Sequence, residues 1–127
     1  RILFTPMNLK FAKKSGRIRA AAAFLGDALG LHPIMTFENG ESKILAKVRG
    51  DKNVIPAMLE RTKQSRVPDT PYFCIFGSEE NLNEEITAAS ARVLQAEAAG
   101  CYYIGGVIAI NAGPNVIGIL YQEKDAL

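Results

Sequence analysis

A chain of 127 residues, 48% hydrophobic and 22% charged, is long enough for one domain with its own core, and its make-up is that of an ordinary globular protein. A net charge of +2 gives no strong pull toward nucleic acid or an anionic membrane. No run is long and charge-free enough to span a bilayer, and no signal-peptide pattern is present; Cys74 and Cys101, both in apolar runs, read as buried free thiols suited to the cytoplasm.

The chain opens at Arg1 and passes straight into Ile2-Leu3-Phe4, which suggests a piece of a longer protein. Thr5-Pro6 reads as an N-cap and first helical position, with a helix to about Ser15 that stops at Gly16. The basic cluster Lys10, Lys13, Lys14, Arg17 and Arg19 reads as a solvated helix face. A second helix starts near Ile18 or Arg19 and places Phe24, Leu25, Ala28 and Leu29 on one side before Gly30. His32-Pro33 marks a junction, and Ile34 to Phe37 a strand. Asn39-Gly40 signals a tight hairpin into a strand from Ser42 to Val48, with Ile44, Ala46 and Val48 on one face; Arg49-Gly50 closes it. A helix follows from about Asn53, Pro56 falling in its first turn, with Val54, Ile55, Met58, Leu59 and Thr62 facing inward. Tyr72 to Phe76 is a strand, and Ser78 caps a long helix from about Glu79 to Ala99 with Ile86, Ala89, Val93 and Leu94 inward. Cys101 to Ile110 and Val116 to Gln122 are the last strands. This order predicts an α/β (α+β) domain of two layers, a mixed sheet with helices on one face.

No catalytic constellation is visible. The one histidine, His32, has no acid or nucleophile beside it in sequence, and two cysteines with one histidine are too few for a zinc knuckle. Gly105-Gly106 lacks the ending of a phosphate loop and reads as a bulge or close approach. Arg17, between two helices, suits either an anion site or a solvated cap. Lys47 and Arg49 end a strand. The sharpest feature is Ile108 to Gly118, two apolar strands meeting at Asn111-Ala112-Gly113-Pro114. Gly113 and Pro114 fix this turn, and Asn111 either caps it or grips a ligand at a strand end.

Lys14-Ser15-Gly16-Arg17-Ile18, Ala21 to Leu29, His32-Pro33-Ile34-Met35 leading to Asn39-Gly40, Lys47-Val48-Arg49-Gly50, and Val107-Ile108 through Gly113-Pro114 to Gly118 occur in an order and spacing that resemble the C-terminal half of the DegV family, which includes the fatty-acid-binding subunits of bacterial fatty acid kinase. The resemblance implies a two-layer second domain, residues 1–127, on a six-stranded mixed sheet, with the first domain of the family absent. It implies a module that does no chemistry alone. Such a module holds a long-chain fatty acid, with no metal or other cofactor, and presents its head group to a partner kinase. By the same resemblance Arg17 joins the head-group network, Arg49 serves kinase docking, and Asn111 stands where the family usually carries a histidine that contacts the carboxylate. Ala109, Ile110, Ala112 and Asn115 also depart from the usual Gly, Thr, Thr and Gly. A buried acyl chain contributes about 0.8 kcal/mol per methylene, roughly 10 kcal/mol gross, against about 1.5–3 kcal/mol for one hydrogen bond to a charged head group. Asn111 is therefore compatible with acyl binding but alters head-group handling. Two other readings stand beside this one. One is a substrate domain like that of dihydroxyacetone kinase, needing a histidine for which His32 is the sole candidate. The other is a purely structural or docking domain.

Overall fold

Six strands form one mixed sheet in the computed structural model of the chain, which describes residues 1–7, 31–103 and 115–125. They are β1 (Ile2–Pro6), β2 (Leu31–Glu38), β3 (Glu41–Arg49), β4 (Tyr72–Phe76), β5 (Gly100–Tyr103) and β6 (Val116–Tyr121), in the order β3-β2-β1-β6-β4-β5. Only β4 and β5 are parallel; the other pairs are antiparallel. A 3-10 turn (Asp51–Asn53) leads into helix α1 (Val54–Ser65) between β3 and β4, and helix α2 (Glu80–Leu94) crosses from β4 to β5.

Both helices cover the same sheet face. Val54, Ile55, Met58, Leu59 and Thr62 of α1 are all buried, as the helical spacing predicts. They and Ile86 and Ala89 of α2 meet Leu3, Ile34, Tyr72, Cys74, Ile117, Ile119 and Tyr121 in one core. Val93 and Leu94 pack at its margin. The hairpin turn is as expected: Asn39 and Gly40 take φ 51 and 78, the pair of positive angles a two-residue turn requires.

The first strand corrects the sequence reading. Thr5-Pro6 caps no helix; Ile2 to Pro6 run beside Leu120 to Val116 in the middle of the sheet. Leu3 and Phe4 are buried on opposite faces, and the gain from burying both outweighs a local helix-start signal. Pro6 is the strand's last residue, where a missing N–H does least harm. His32 and Pro33 lie inside β2 rather than at a junction. Ile44 and Ala46 do not share a face, because the register shifts between Ile34 and Met35, so that Ala46 opposes Ile34 and Ile44 opposes Met35. Ser78 does not cap α2. Instead Asn83, 2% exposed, accepts from the Gly77 N–H at 3.1 Å and donates to the Gly77 carbonyl at 2.9 Å. The helix ends at Leu94 with Gln95 in the left-handed region, short of Ala99. Cys74 is buried as expected, but Cys101 is exposed on the outer strand β5, and both are free. The two helices expected before Gly30, the Gly105-Gly106 pair and the Asn111 turn lie outside the described residues.

Candidate functional site

The topology gathers distant parts of the chain at one end of the sheet. Register sets Pro6 beside Val116, Leu31 beside Arg49, and Phe76 beside Tyr103. The Met7 N–H donates to the Asn115 carbonyl at 2.8 Å. The four residues that bound segments 8–30 and 104–114, namely Met7, Leu31, Tyr103 and Asn115, therefore lie at or next to strand ends on this side. The sequence-flagged residues Arg17, Asn111, Gly113 and Pro114 belong to those segments and lie outside the described residues. Arg49 is described: it is the exposed last residue of β3, at the same end.

The sheet face opposite the helices is apolar across its width. One row of neighbours crosses all six strands, Ile44, Met35, Phe4, Gly118, Ile75 and Tyr102, about 24 Å at the usual strand spacing. Ile2, Leu120 and Phe73 make a parallel row. Burial changes along the strands. Phe4, Met35 and Val116, toward the converging end, are at most 3% exposed, whereas Leu120 and Phe37 are 40% and 42% exposed. Phe37 stacks on Phe4 with ring centroids 5.0 Å apart, and Phe73 leans on Tyr102 at 5.7 Å. Gly118, in mid-row, lets β1 approach closely. A Cβ there would meet the Leu3 carbonyl oxygen at 2.7 Å and the Phe4 Cβ at 3.2 Å. Lys47 and Arg49 pair with Pro33 and Leu31, which puts both cationic residues on this same face by register. The part of the face that stays exposed, Phe37, Leu120 and Tyr102, offers surface to an apolar ligand, and the two cationic residues mark one corner.

A concavity of about 340 Å³ lies against α2, lined by Phe76, Ala88 and Ala91 among others. Its rim carries Glu80, Glu84 and Glu97, which would repel a carboxylate. His32 Nε2 lies 2.5 Å from Asp51 Oδ1, so the histidine does have an acid beside it, supplied by the turn after β3. The residue is 8% exposed and engaged in a structural pair, a poor arrangement for a nucleophile. Burial pushes the Cys74 thiol up to about 11, so it too is held unreactive. Sequence reasoning missed the close approach at Gly118, the row across six strands and the Asp51 partner of His32. The strand-like runs on either side of Gly118 gave the only local hint.

The profile described as "Uncharacterised protein, DegV family" matches residues 1–124. The chain belongs to the DegV family. A DegV domain-containing protein of Clostridium acetobutylicum is 33% identical over 98% of this chain and 44% of its own length. Among solved structures, a fatty-acid-binding DegV family protein of Thermus thermophilus is 26% identical with TM-score 0.73, over 94% of this chain and 44% of the other. DegV of Bacillus subtilis, described as a fatty acid binding protein, is 27% identical with TM-score 0.66, over 98% and 45%. A stearic-acid-binding protein of Eubacterium ventriosum, at 21% identity and TM-score 0.80, covers 95% of this chain and 44% of its own; it establishes likeness of fold alone. The chain thus spans less than half the length of these relatives.

Proposed function

We propose that this chain is the C-terminal, lipid-binding domain of a DegV-type protein that holds one long-chain fatty acid and presents its head group to a fatty acid kinase, doing no chemistry alone. The observation that carries the reading is the apolar double row on the sheet face opposite α1 and α2, with Lys47 and Arg49 at one corner. The fatty-acid-binding DegV proteins of Thermus thermophilus and Bacillus subtilis support it. In this reading the acyl chain lies along the exposed apolar part of this face, by Phe37, Leu120 and Tyr102, and Arg17 and Asn111 serve the head group from the segments that attach at the converging end. Arg49 serves kinase docking. A further domain of the same protein closes the site.

The test is mass spectrometry of ligand extracted from the intact protein purified from bacteria. One fatty acid per protein is expected. Leu120→Asp, which puts a charge on a 40% exposed position of the apolar face, should lower the retained lipid severalfold while the fold stays intact. A protein that comes out lipid-free and takes up neither palmitate nor oleate refutes the proposal.

A further inference from the structure

His32, Asp51 and Asn53 take no part in holding lipid in the reading above, yet all three bear on one backbone turn. β3 ends at Arg49, and the chain reverses through Gly50, φ 88, into the 3-10 turn Asp51–Asn53. Asn53 Nδ2 donates to the Arg49 carbonyl at 2.9 Å, and the Asn53 N–H donates to the Gly50 carbonyl at 3.1 Å. A Cβ on Gly50 would come within 3.3 Å of that same Nδ2, so the amide sits directly on the glycine. From the sheet side, buried His32 reaches Asp51 at 2.5 Å, although the Asp51 side chain is otherwise 81% exposed. His32 and Leu31 are also the ladder partners of Val48 and Arg49. The turn is thus fastened before, at and after Arg49. Asp51 and Asn53 hold these bonds although both residues are exposed. Recognition through a guanidinium fork depends on where the side chain starts, and a fixed backbone lowers the ordering cost of docking.

We infer that His32, Asp51 and Asn53 are positioning residues: they clasp the turn that presents Arg49 to a partner protein and so set how strongly that partner is engaged, without contacting the lipid. The inference rests on the docking role proposed for Arg49. The experiment loads the intact protein with palmitate, adds ATP and a fatty acid kinase of the same organism, and follows the rate of acyl phosphate formation against the concentration of loaded protein. Asn53→Asp keeps the size of the side chain but cannot donate to the Arg49 carbonyl; His32→Ala removes the clasp from the sheet side. Each should raise the half-saturating concentration about three- to tenfold, with the plateau rate and bound palmitate unchanged. His32→Gln, which keeps an N–H for Asp51, should recover most of the loss. Asn53→Asp added to Arg49→Ala should cost nothing more than Arg49→Ala alone, because the clasp acts through Arg49. The inference is overturned if Arg49→Ala is impaired while Asn53→Asp and His32→Ala both match the parent, or if the double variant shows the full product of the single effects. A wild-type rate for Arg49→Ala instead overturns the docking role beneath it. Should the variants fail to fold, amide hydrogen exchange of the parent decides: a protected Asn53 N–H supports the clasp, and exchange at the rate of an open loop overturns it.

Discussion

Two glycines of the sheet are required for different physical reasons, and alanine substitutions separate them. Gly118 has backbone angles open to other residues, but its missing Cβ is the space through which β1 passes. The added atom would lie 2.7 Å from the Leu3 carbonyl oxygen, closer than carbon and oxygen tolerate, and 3.4 Å from the Ile75 Cβ on the other side. The obstacle is backbone held in a ladder, so β1 and β6 must part. Overpacking of this kind costs about 3 kcal/mol at the upper end of its usual range. The lower freedom of alanine in the unfolded chain offsets up to about 1 kcal/mol, leaving about 2 kcal/mol. For 127 residues the unfolding entropy is about 0.27 kcal/mol/K, so Gly118→Ala should lower Tm by about 7 °C. Gly40 is the opposite case: a Cβ there meets nothing within 4 Å, but φ is 78. Gly40→Ala should cost about 1 kcal/mol, roughly 4 °C, and Gly40→Asn should regain most of that, because asparagine tolerates the left-handed region. No small L-residue should rescue position 118. Thermal melts of the four proteins followed by circular dichroism make the comparison. A Gly118→Ala melt within about 2 °C of the parent, or no worse than that of Gly40→Ala, refutes the steric account.

Asn83→Ala strands the N–H and the carbonyl of Gly77 in a buried place and should cost about 2–4 kcal/mol in urea unfolding, more than any exposed substitution on α2. The Arg1 hydrogen bond holds the Glu123 carboxyl below the usual range, and Lys43 and then Arg1 do the same for Glu38. A lowered folded value adds stability above the unfolded pKa that is lost as pH falls through the folded one, so Arg1→Gln should lower the urea midpoint at about pH 7 and differ little from the parent at about pH 2. At about pH 8 iodoacetamide should label exposed Cys101 in the native protein. Cys74, buried with its Sγ 3.7 Å from Ser90 Oγ and its thiol pushed up to about 11, should be labelled only after denaturation, as peptide mapping would report.

What the sequence disclosed were features whose causes are local. The inward face of α1 follows from spacing alone, Asn39-Gly40 from the positive angles of its turn, and β4 from an unbroken apolar run. What it concealed has tertiary causes. β1 is five residues long, too short for alternation to speak, and its Thr5-Pro6 carries a helix-start signal that two flanking strands override. The extra residue of β3 near Leu45 turns Ile44 away from Ala46, and nothing in the alternation of that strand announces it. His32 and Asp51 are 19 positions apart, joined only because β2 and β3 form a hairpin that brings the following turn back over the histidine. Of the candidate site, Arg49 alone of the flagged residues is placed by the described structure; Arg17, Asn111, Gly113 and Pro114 are reached only through the strand ends to which their segments attach.

The two ends of the sheet are built differently, and this bears on how affinity and orientation would divide. At the end away from Arg49, the Arg1 side chain is bonded to Glu123 at 2.5 and 2.9 Å and to Glu38 and Thr36 at 3.1 Å, and Ser65 meets the Tyr121 hydroxyl at 2.7 Å. Charge-assisted bonds of this kind fix β1, β2 and the chain after β6 before any ligand arrives, so little of the binding free energy goes into ordering that end. The apolar rows between the ends would supply most of the affinity for an acyl chain, roughly 10 kcal/mol gross, and they do so without direction. Direction would come from the opposite end, where strand ends, Lys47, Arg49 and the clasped turn meet. In the proposed reading, then, Asn111, standing where the family resemblance implies a histidine, acts on how the head group is turned toward a partner, while the hold on the hydrocarbon, set by Phe37, Leu120 and their apolar neighbours, is left standing.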